Sequence, residues 1–207
     1  MLDTIENTGD RCLACFDFDG TLTHRDSMFE FLRFAVGSPR FYSGFLGLWP
    51  HVLSYYVGRI HAGELKQRFL NYYLANFDEQ ALERLGQDFC EQHLPTLIRA
   101  DAIKRLKNHH EQCHTVFVVT ASLGLWVKPW CDANGVELIS TPYSINDQQS
   151  PRIQLGNNCK GAEKVSRIKA AVNIEHYEAL YAYGDTRGDR EMLCLADHAY
   201  FKVFTAN

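Results

Sequence analysis

Three short apolar runs, each ending in acids or hydroxyls, constrain this 207-residue chain more than any other feature. Leu13 to Phe18 ends in Asp17-Phe18-Asp19-Gly20, Thr115 to Val119 ends in Thr120-Ala121-Ser122, and Ala179 to Tyr183 ends in Gly184-Asp185-Thr186. Runs of this length bounded by turn residues read as buried strands. Helical patterns at 100–110, 123–134, 161–172 and 189–196 separate them, and Tyr200 to Phe204 reads as an added edge strand. Strands alternating with helices predict an α/β fold, a Rossmannoid parallel sheet with helices on both faces.

The stretch from 27 to 97 breaks that rhythm. It holds no strand pattern but several amphipathic segments, the clearest being Glu64 to Asn76 with Leu65, Phe69, Tyr72 and Tyr73 at helical spacing. Asp78 is placed to cap a following helix whose apolar face is Ala81, Leu82, Leu85 and Phe89. The expected organisation is therefore a core of 1–26 and 98–207, with a helical cap of 27–97 inserted after the first strand. Residues 143–156 read as a hairpin with Asn146-Asp147-Gln148-Gln149 at its tip. Phe41 to Val57 carries no Asp, Glu, Lys or Arg. It barely reaches the roughly 17–25 residues of a bilayer span and contains Pro50 and His51. Two readings stand: a buried or bent cap helix, or an aromatic surface that touches membrane or an acyl chain.

A formal charge of -4 argues against a nucleic-acid partner, whose binding surface would be basic. The seven cysteines are scattered and odd in number, and the polar segment MLDTIENTGDR lacks the apolar core of a secretion signal. Both favour reduced thiols in a cytoplasmic protein, with the periphery of the inner membrane as the alternative location.

In an open parallel sheet the carboxyl ends of the strands line one edge, where ligands bind. Asp17, Asp19, Thr120 and Asp185 are thus expected to meet there. Two carboxylates two residues apart cannot approach a phosphate dianion unaided, and hard Mg²⁺ resolves the conflict. The expected roles follow from phosphoryl transfer. Asp17 attacks phosphorus to give an acyl-phosphate. Asp19 protonates the leaving alcohol and then deprotonates water. Gly20 tightens the turn, and Thr21 steadies it. Thr120 bonds a phosphate oxygen, and Lys160 pairs with the nucleophile and the phosphate. Ala121 and Gly20 are counted with them as phosphate-binding positions. Asp17, Asp19 through its backbone carbonyl, and Asp185 are expected around the metal, with Asp189 acting through water or as support.

The set Asp17-Phe18-Asp19-Gly20-Thr21-Leu22-Thr23, Thr120, Lys160 and Gly184-Asp185-Thr186-Arg187-Gly188-Asp189 resembles the four motifs of haloacid dehalogenase (HAD) superfamily phosphatases. The inserted helices resemble the cap of its phosphoserine-phosphatase-like branch, subfamily IB. The segments DGTLTHRDSMFEFL, VVTAS, NNCKGAEKV and AYGDTRGDREML are similar to a bacterial group that includes a phosphatidylglycerophosphate phosphatase. The resemblance implies the HAD fold, magnesium dependence and an aspartyl-phosphate intermediate. It also shows departures. Gly188 stands where phosphoserine phosphatases carry Asn, and Asp26 stands where they carry a Glu facing the substrate's amino group. Both weaken phosphoserine as substrate, and Asp19 separates the chain from true dehalogenases. Asp26 either caps the first cap helix or faces substrate.

Other features have plainer readings. Cys12 and Cys15 lack a second pair and read as buried structural thiols. His109, His110, Cys113 and His114 read as a solvated helix end rather than a metal cluster. Cys159, beside Lys160, is a candidate reactive thiol. The functional expectation is a phosphomonoester hydrolase acting on a small phosphorylated metabolite or a lipid phosphate head group, with peripheral membrane contact through 41–57. The alternative is a catalytically silent or membrane-peripheral binding protein that keeps the fold.

Overall fold

The computed structural model describes residues 12–146 and 152–204. Five strands form a parallel sheet: β1 (Cys12–Phe16), β2 (Thr115–Leu123), β3 (Glu137–Thr141), β6 (Ala179–Gly184) and β7 (His198–Phe201), in the order β3-β2-β1-β6-β7. The first strand in the chain is therefore the central one, with Phe16 opposite Val118 on one side and Tyr183 on the other.

Side chains alternate across this strand, as the pleat requires. Ala14 and Phe16 face one core. There they meet α5 (Ala100–Glu111) through Ala102 and Leu106, and α6 (Gly124–Ala133) through Trp126 and Trp130. Leu13 and Cys15 face the other, with Ile168 of α7 (Ala162–Ala171) and Met192 of α8 (Arg190–Leu195). Both faces are covered, which explains why the central strands read as continuous apolar runs.

Between β1 and α5 lie α1 (Ser27–Val36), α2 (Ser38–Tyr56), α3 (Ala62–Leu74) and α4 (Glu79–Gln92). They occupy the stretch where a helical cap of 27–97 is expected. Asp26 caps α1 by accepting from the Met28 and Phe29 amides, and Asp78 caps α4 by accepting from Ala81 N–H. These helices share a core with the sheet layer. Phe31 stacks on Trp126 with centroids 4.7 Å apart, and Gly86 of α4 lies so close to α6 that an added Cβ would come 2.0 Å from the Leu125 carbonyl.

The hairpin is present as β4 (Tyr143–Ile145) paired with β5 (Ile153–Leu155), and the expected tip at 147–149 lies outside the described residues. The same holds for the N-terminal segment 1–11. Among the described residues no helix is long and apolar enough to cross a membrane.

Cys12 and Cys15 are both buried on β1, as expected of structural thiols. Two other expectations need correcting. β3 has no counterpart among the predicted strands. His109 and His114 are not solvated: both are buried, their Nδ1 atoms are 2.8 Å apart, and His109 Nε2 lies 2.9 Å from the Tyr183 hydroxyl.

Candidate active site

The turn after β1 builds the centre of the site. Asp17 leaves the strand buried, its amide bonded to the Tyr183 carbonyl at 2.9 Å. Gly20 adopts φ +86°, and a Cβ there would sit 2.2 Å from Asp185 Oδ2. Only glycine allows the β1 turn to press against the β6 turn in this way. Thr21 bridges the two turns, its hydroxyl lying 3.3 Å from Asp17 Oδ2 and 3.4 Å from Asp185 Oδ1.

The charge opposite Asp17 comes from Lys164, not Lys160. Lys164 Nζ is 2.5 Å from Asp17 Oδ1, 2.7 Å from Asp189 Oδ1 and 2.6 Å from the Val119 carbonyl. It is fully enclosed, and its two carboxylate partners raise its pKa despite burial. Lys160 is exposed on the pocket wall, its stem packed over Gly188 so closely that a Cβ on that glycine would meet Lys160 Cε at 2.5 Å. The reason is helical geometry. α7 starts at Ala162, which puts Lys164 and Ile168 on its inward face and leaves Lys160 in the preceding turn. A lysine in register with the buried Ile168 was the signal to follow.

Thr120 is likewise set back. It is fully buried, and its Oγ1 accepts from Ser122 N–H at 2.9 Å. Ala121 and Ser122 line the pocket instead. The Ser122 hydroxyl donates to Asp19 Oδ2 at 2.5 Å, and the Ser27 amide donates to Asp19 Oδ1 at 2.7 Å. Asp19 is thus oriented by the first residue of the cap and the end of β2 together.

Asp17, Asp185 and Asp189 offer oxygens within 4.8 Å of one another. Burial pushes the Asp17 carboxyl up to about 7, Asp189 and Asp19 add to this, and Lys164 opposes it. Burial and Asp189 also raise Asp185. Asp189 moves the other way against its own burial, because it pairs with Lys164 and accepts from the Thr186 amide and hydroxyl, both at 2.9 Å. Three carboxylates thus converge here, and two of them, Asp17 and Asp189, share the single ammonium of Lys164. Such an all-oxygen set could hold a hard divalent cation such as Mg²⁺, which Asp17 and Asp185 could ligate with Asp189 in support. The carboxylate of Asp19 turns to Ser27 and Ser122 instead of joining this cluster.

The pocket over these groups holds about 370 Å³. From the cap, Lys66 reaches down to it, donating to the Ala121 carbonyl at 2.7 Å and to Asn158 Oδ1 at 3.1 Å. Burial lowers its pKa, while Asp19 and Asp26 act in the opposite direction. Asp26 lines the same pocket while capping α1. The sequence reading missed Lys66 because a single lysine on an amphipathic cap helix looks like any solvated one. Cys159 is buried and its thiol is pushed up to about 11, so it is not an activated nucleophile.

A family model described as haloacid dehalogenase-like hydrolase matches residues 14–193. The chain belongs to that family of hydrolases. It is 35% identical to Protein CicA of Caulobacter vibrioides over 194 residues, covering 93% of this chain and 86% of that one. A crystal structure of a Bordetella pertussis Tohama I protein, described as of unknown function, superposes with a TM-score of 0.75 at 23% identity, covering 90% of this chain and 87% of that one. A structure described as a phospho-aspartyl intermediate analogue of phosphoserine phosphatase gives 0.57 at 18% identity, covering 90% and 84%. The structural likenesses speak for the shared fold.

Proposed function

We propose that the chain is a Mg²⁺-dependent phosphomonoester hydrolase of the subfamily IB type that works through a phosphoryl-aspartate on Asp17. The observation that carries this reading is the buried ion triad Asp17–Lys164–Asp189 at the carboxyl end of the central strand, with Asp185 open beside it. A bound Mg²⁺ supplies the countercharge that lets a phosphate dianion approach these carboxylates.

Asp17 Oδ attacks phosphorus, and the ester P–O bond breaks as the new P–O bond forms. Lys164 fixes the nucleophile's rotamer through Oδ1, and Oδ2, steadied by the Thr21 hydroxyl, is the oxygen that reacts. Asp19 gives its proton to the departing alkoxide, so that a neutral alcohol leaves. Water then attacks the acyl-phosphate, its proton passes to Asp19, and inorganic phosphate departs with Asp17 restored. Ser27 N–H and the Ser122 hydroxyl hold Asp19 in place for both steps. Ala121, Gly20 and Lys160 border the phosphate position, and Lys66 and Asp26 face the leaving group from the cap.

The phosphatase reading covers a small phosphorylated metabolite or a lipid phosphate head group. One observation favours the second. An apolar groove of about 720 Å³ in the cap shares Asp26, Met28 and Lys66 with the catalytic pocket. Phosphate release from an aryl phosphate, a metabolite panel and lipid phosphates, with and without Mg²⁺, tests the proposal. Magnesium-dependent turnover that Asp17→Asn abolishes is expected. Turnover persisting in Asp17→Asn sinks the mechanism, and no turnover on any class leaves the silent binding protein.

A further inference from the structure

The 19-residue helix α2 buries only Phe41, Gly44 and Leu48. Its outward residues fall into one line: Tyr42, Leu46, Trp49, Leu53 and Tyr56, spaced four, three, four and three apart, which is a single helical face. Leu46 and Tyr56 are 78% and 77% exposed, and Trp49 and Leu53 are 56% and 52% exposed. Val57 continues the stripe at 60%. Lone exposed apolar residues are ordinary, but a contiguous stripe of large ones marks an interaction surface.

Its composition points to one kind of partner. Aromatic side chains with polar tips alternate with Leu, the arrangement suited to the level of lipid head groups. α2 contains no Asp or Glu, while Arg40 lies in its first turn and Arg59 just beyond its end. In a chain of net charge -4 this element is locally basic and complements an anionic leaflet. The stripe also adjoins the route to the site. Tyr42 and Tyr56 belong both to the exposed face and to the lining of the apolar groove, and the groove runs on to Asp26, Met28 and Lys66 at the catalytic pocket.

We infer that the Tyr42–Val57 face of α2 docks flat on an anionic bilayer surface and sets the mouth of the cap groove against the lipid. An apolar chain attached to a phosphate then passes from bilayer to groove, with its head group held at Asp17. The passage of the chain rests on the phosphatase reading, whereas the docking of α2 does not.

Co-flotation of the full chain with vesicles of phosphatidylcholine, with and without phosphatidylglycerol, tests the docking. Leu46, Trp49 and Leu53 lie outside the lining of both cavities, so the triple variant L46S/W49S/L53S separates surface from site. The expected result is flotation with the anionic vesicles, retained by Asp17→Asn and reduced about tenfold or more in the triple variant. The triple variant keeps its circular dichroism and its rate on a soluble aryl phosphate. Trp126 and Trp130 are buried, so a blue shift of tryptophan emission on vesicle addition reports Trp49.

Wild-type protein that stays behind, or a triple variant that floats equally well, overturns the inference. So does a vesicle-free dimer that the triple variant dissolves, because a second copy then covers the face. Hydrolysis of the aryl phosphate without flotation removes this inference and leaves the phosphatase reading. Flotation without hydrolysis of any phosphomonoester does the reverse.

Discussion

Lys164 Nζ lies 2.5 Å from Asp17 Oδ1, and both side chains are buried. The same ammonium reaches Asp189, so one cation neutralises two buried carboxylates contributed by β1 and by the turn after β6. Removing it leaves both acids buried and unpaired, a situation that costs about 3–5 kcal/mol. Lys164→Met is therefore expected to lower thermal stability at neutral pH and to cut kcat by about 100-fold or more. Lys160→Met, at an exposed position, should keep its melting temperature and lose less activity. Melting curves and steady-state rates of the two variants side by side distinguish the lysines.

Gly20 meets Asp185 across the pocket floor. A Cβ at Gly20 would overlap the Asp185 carboxylate, and φ +86° adds backbone strain of about 1 kcal/mol for alanine. Gly20→Ala is expected to push Asp185 aside and weaken Mg²⁺ binding by about tenfold or more while leaving the fold intact. Calorimetric titration of Mg²⁺ into the resting protein reads this without any turnover.

His109 predicts a pH effect remote from the chemistry. Burial, aided by His114, lowers its pKa from 6.5 to about 4. The unfolded chain then binds a proton that the folded chain refuses, so stability is full above pH 6.5 and falls as pH drops toward about 4. A tenfold difference in proton affinity between folded and unfolded chains corresponds to about 1.4 kcal/mol, which bounds the loss at about 3 kcal/mol. His109→Gln should melt lower than wild type near neutrality, yet show a shallower fall over that acid window. Equal slopes for the two proteins would rule the histidine out as the cause.

Much of this site was legible because strand ends are chemically conspicuous. Asp17, Asp19 and Asp185 stand where apolar runs stop, and a parallel sheet must bring those points together. The choice between Lys160 and Lys164 depended on where α7 begins, a boundary of one or two residues that decides which lysine faces inward. Thr120 and Ser122 differ in the same way: the two hydroxyls are close in sequence, and the Ser122 amide turns Thr120 Oγ1 away from the pocket. β3 escaped notice because Glu137 and Ser140 interrupt its apolar pattern at the sheet edge. The histidine pair looked solvated because its buried partner, the Tyr183 hydroxyl, is distant in sequence.

The contact between α4 and α6 gives a fourth test. Gly86 has no room for a methyl group, since the obstructing atom is the Leu125 backbone carbonyl. Gly86→Ala is expected to destabilise the protein by about 1–3 kcal/mol through forced separation of the two helices. Hydrogen exchange should show α1 and α4 losing protection together, because Phe31 and Phe89 pack on one another and Phe31 on Trp126.

The position of β1 also bears on how the protein is made. The strand leaves the ribosome before its partners but is the middle member of the sheet, so its two neighbours are completed only when residues near 123 and 184 have been synthesised. The ammonium that neutralises Asp17 lies 147 residues downstream of it. Until then the nascent chain carries an apolar strand with two open edges and a carboxylate that burial would penalise, a combination that invites aggregation. Catalytic competence is thus among the last properties the growing polypeptide acquires, and nascent chains halted before residue 164 should be inert as well as prone to aggregate.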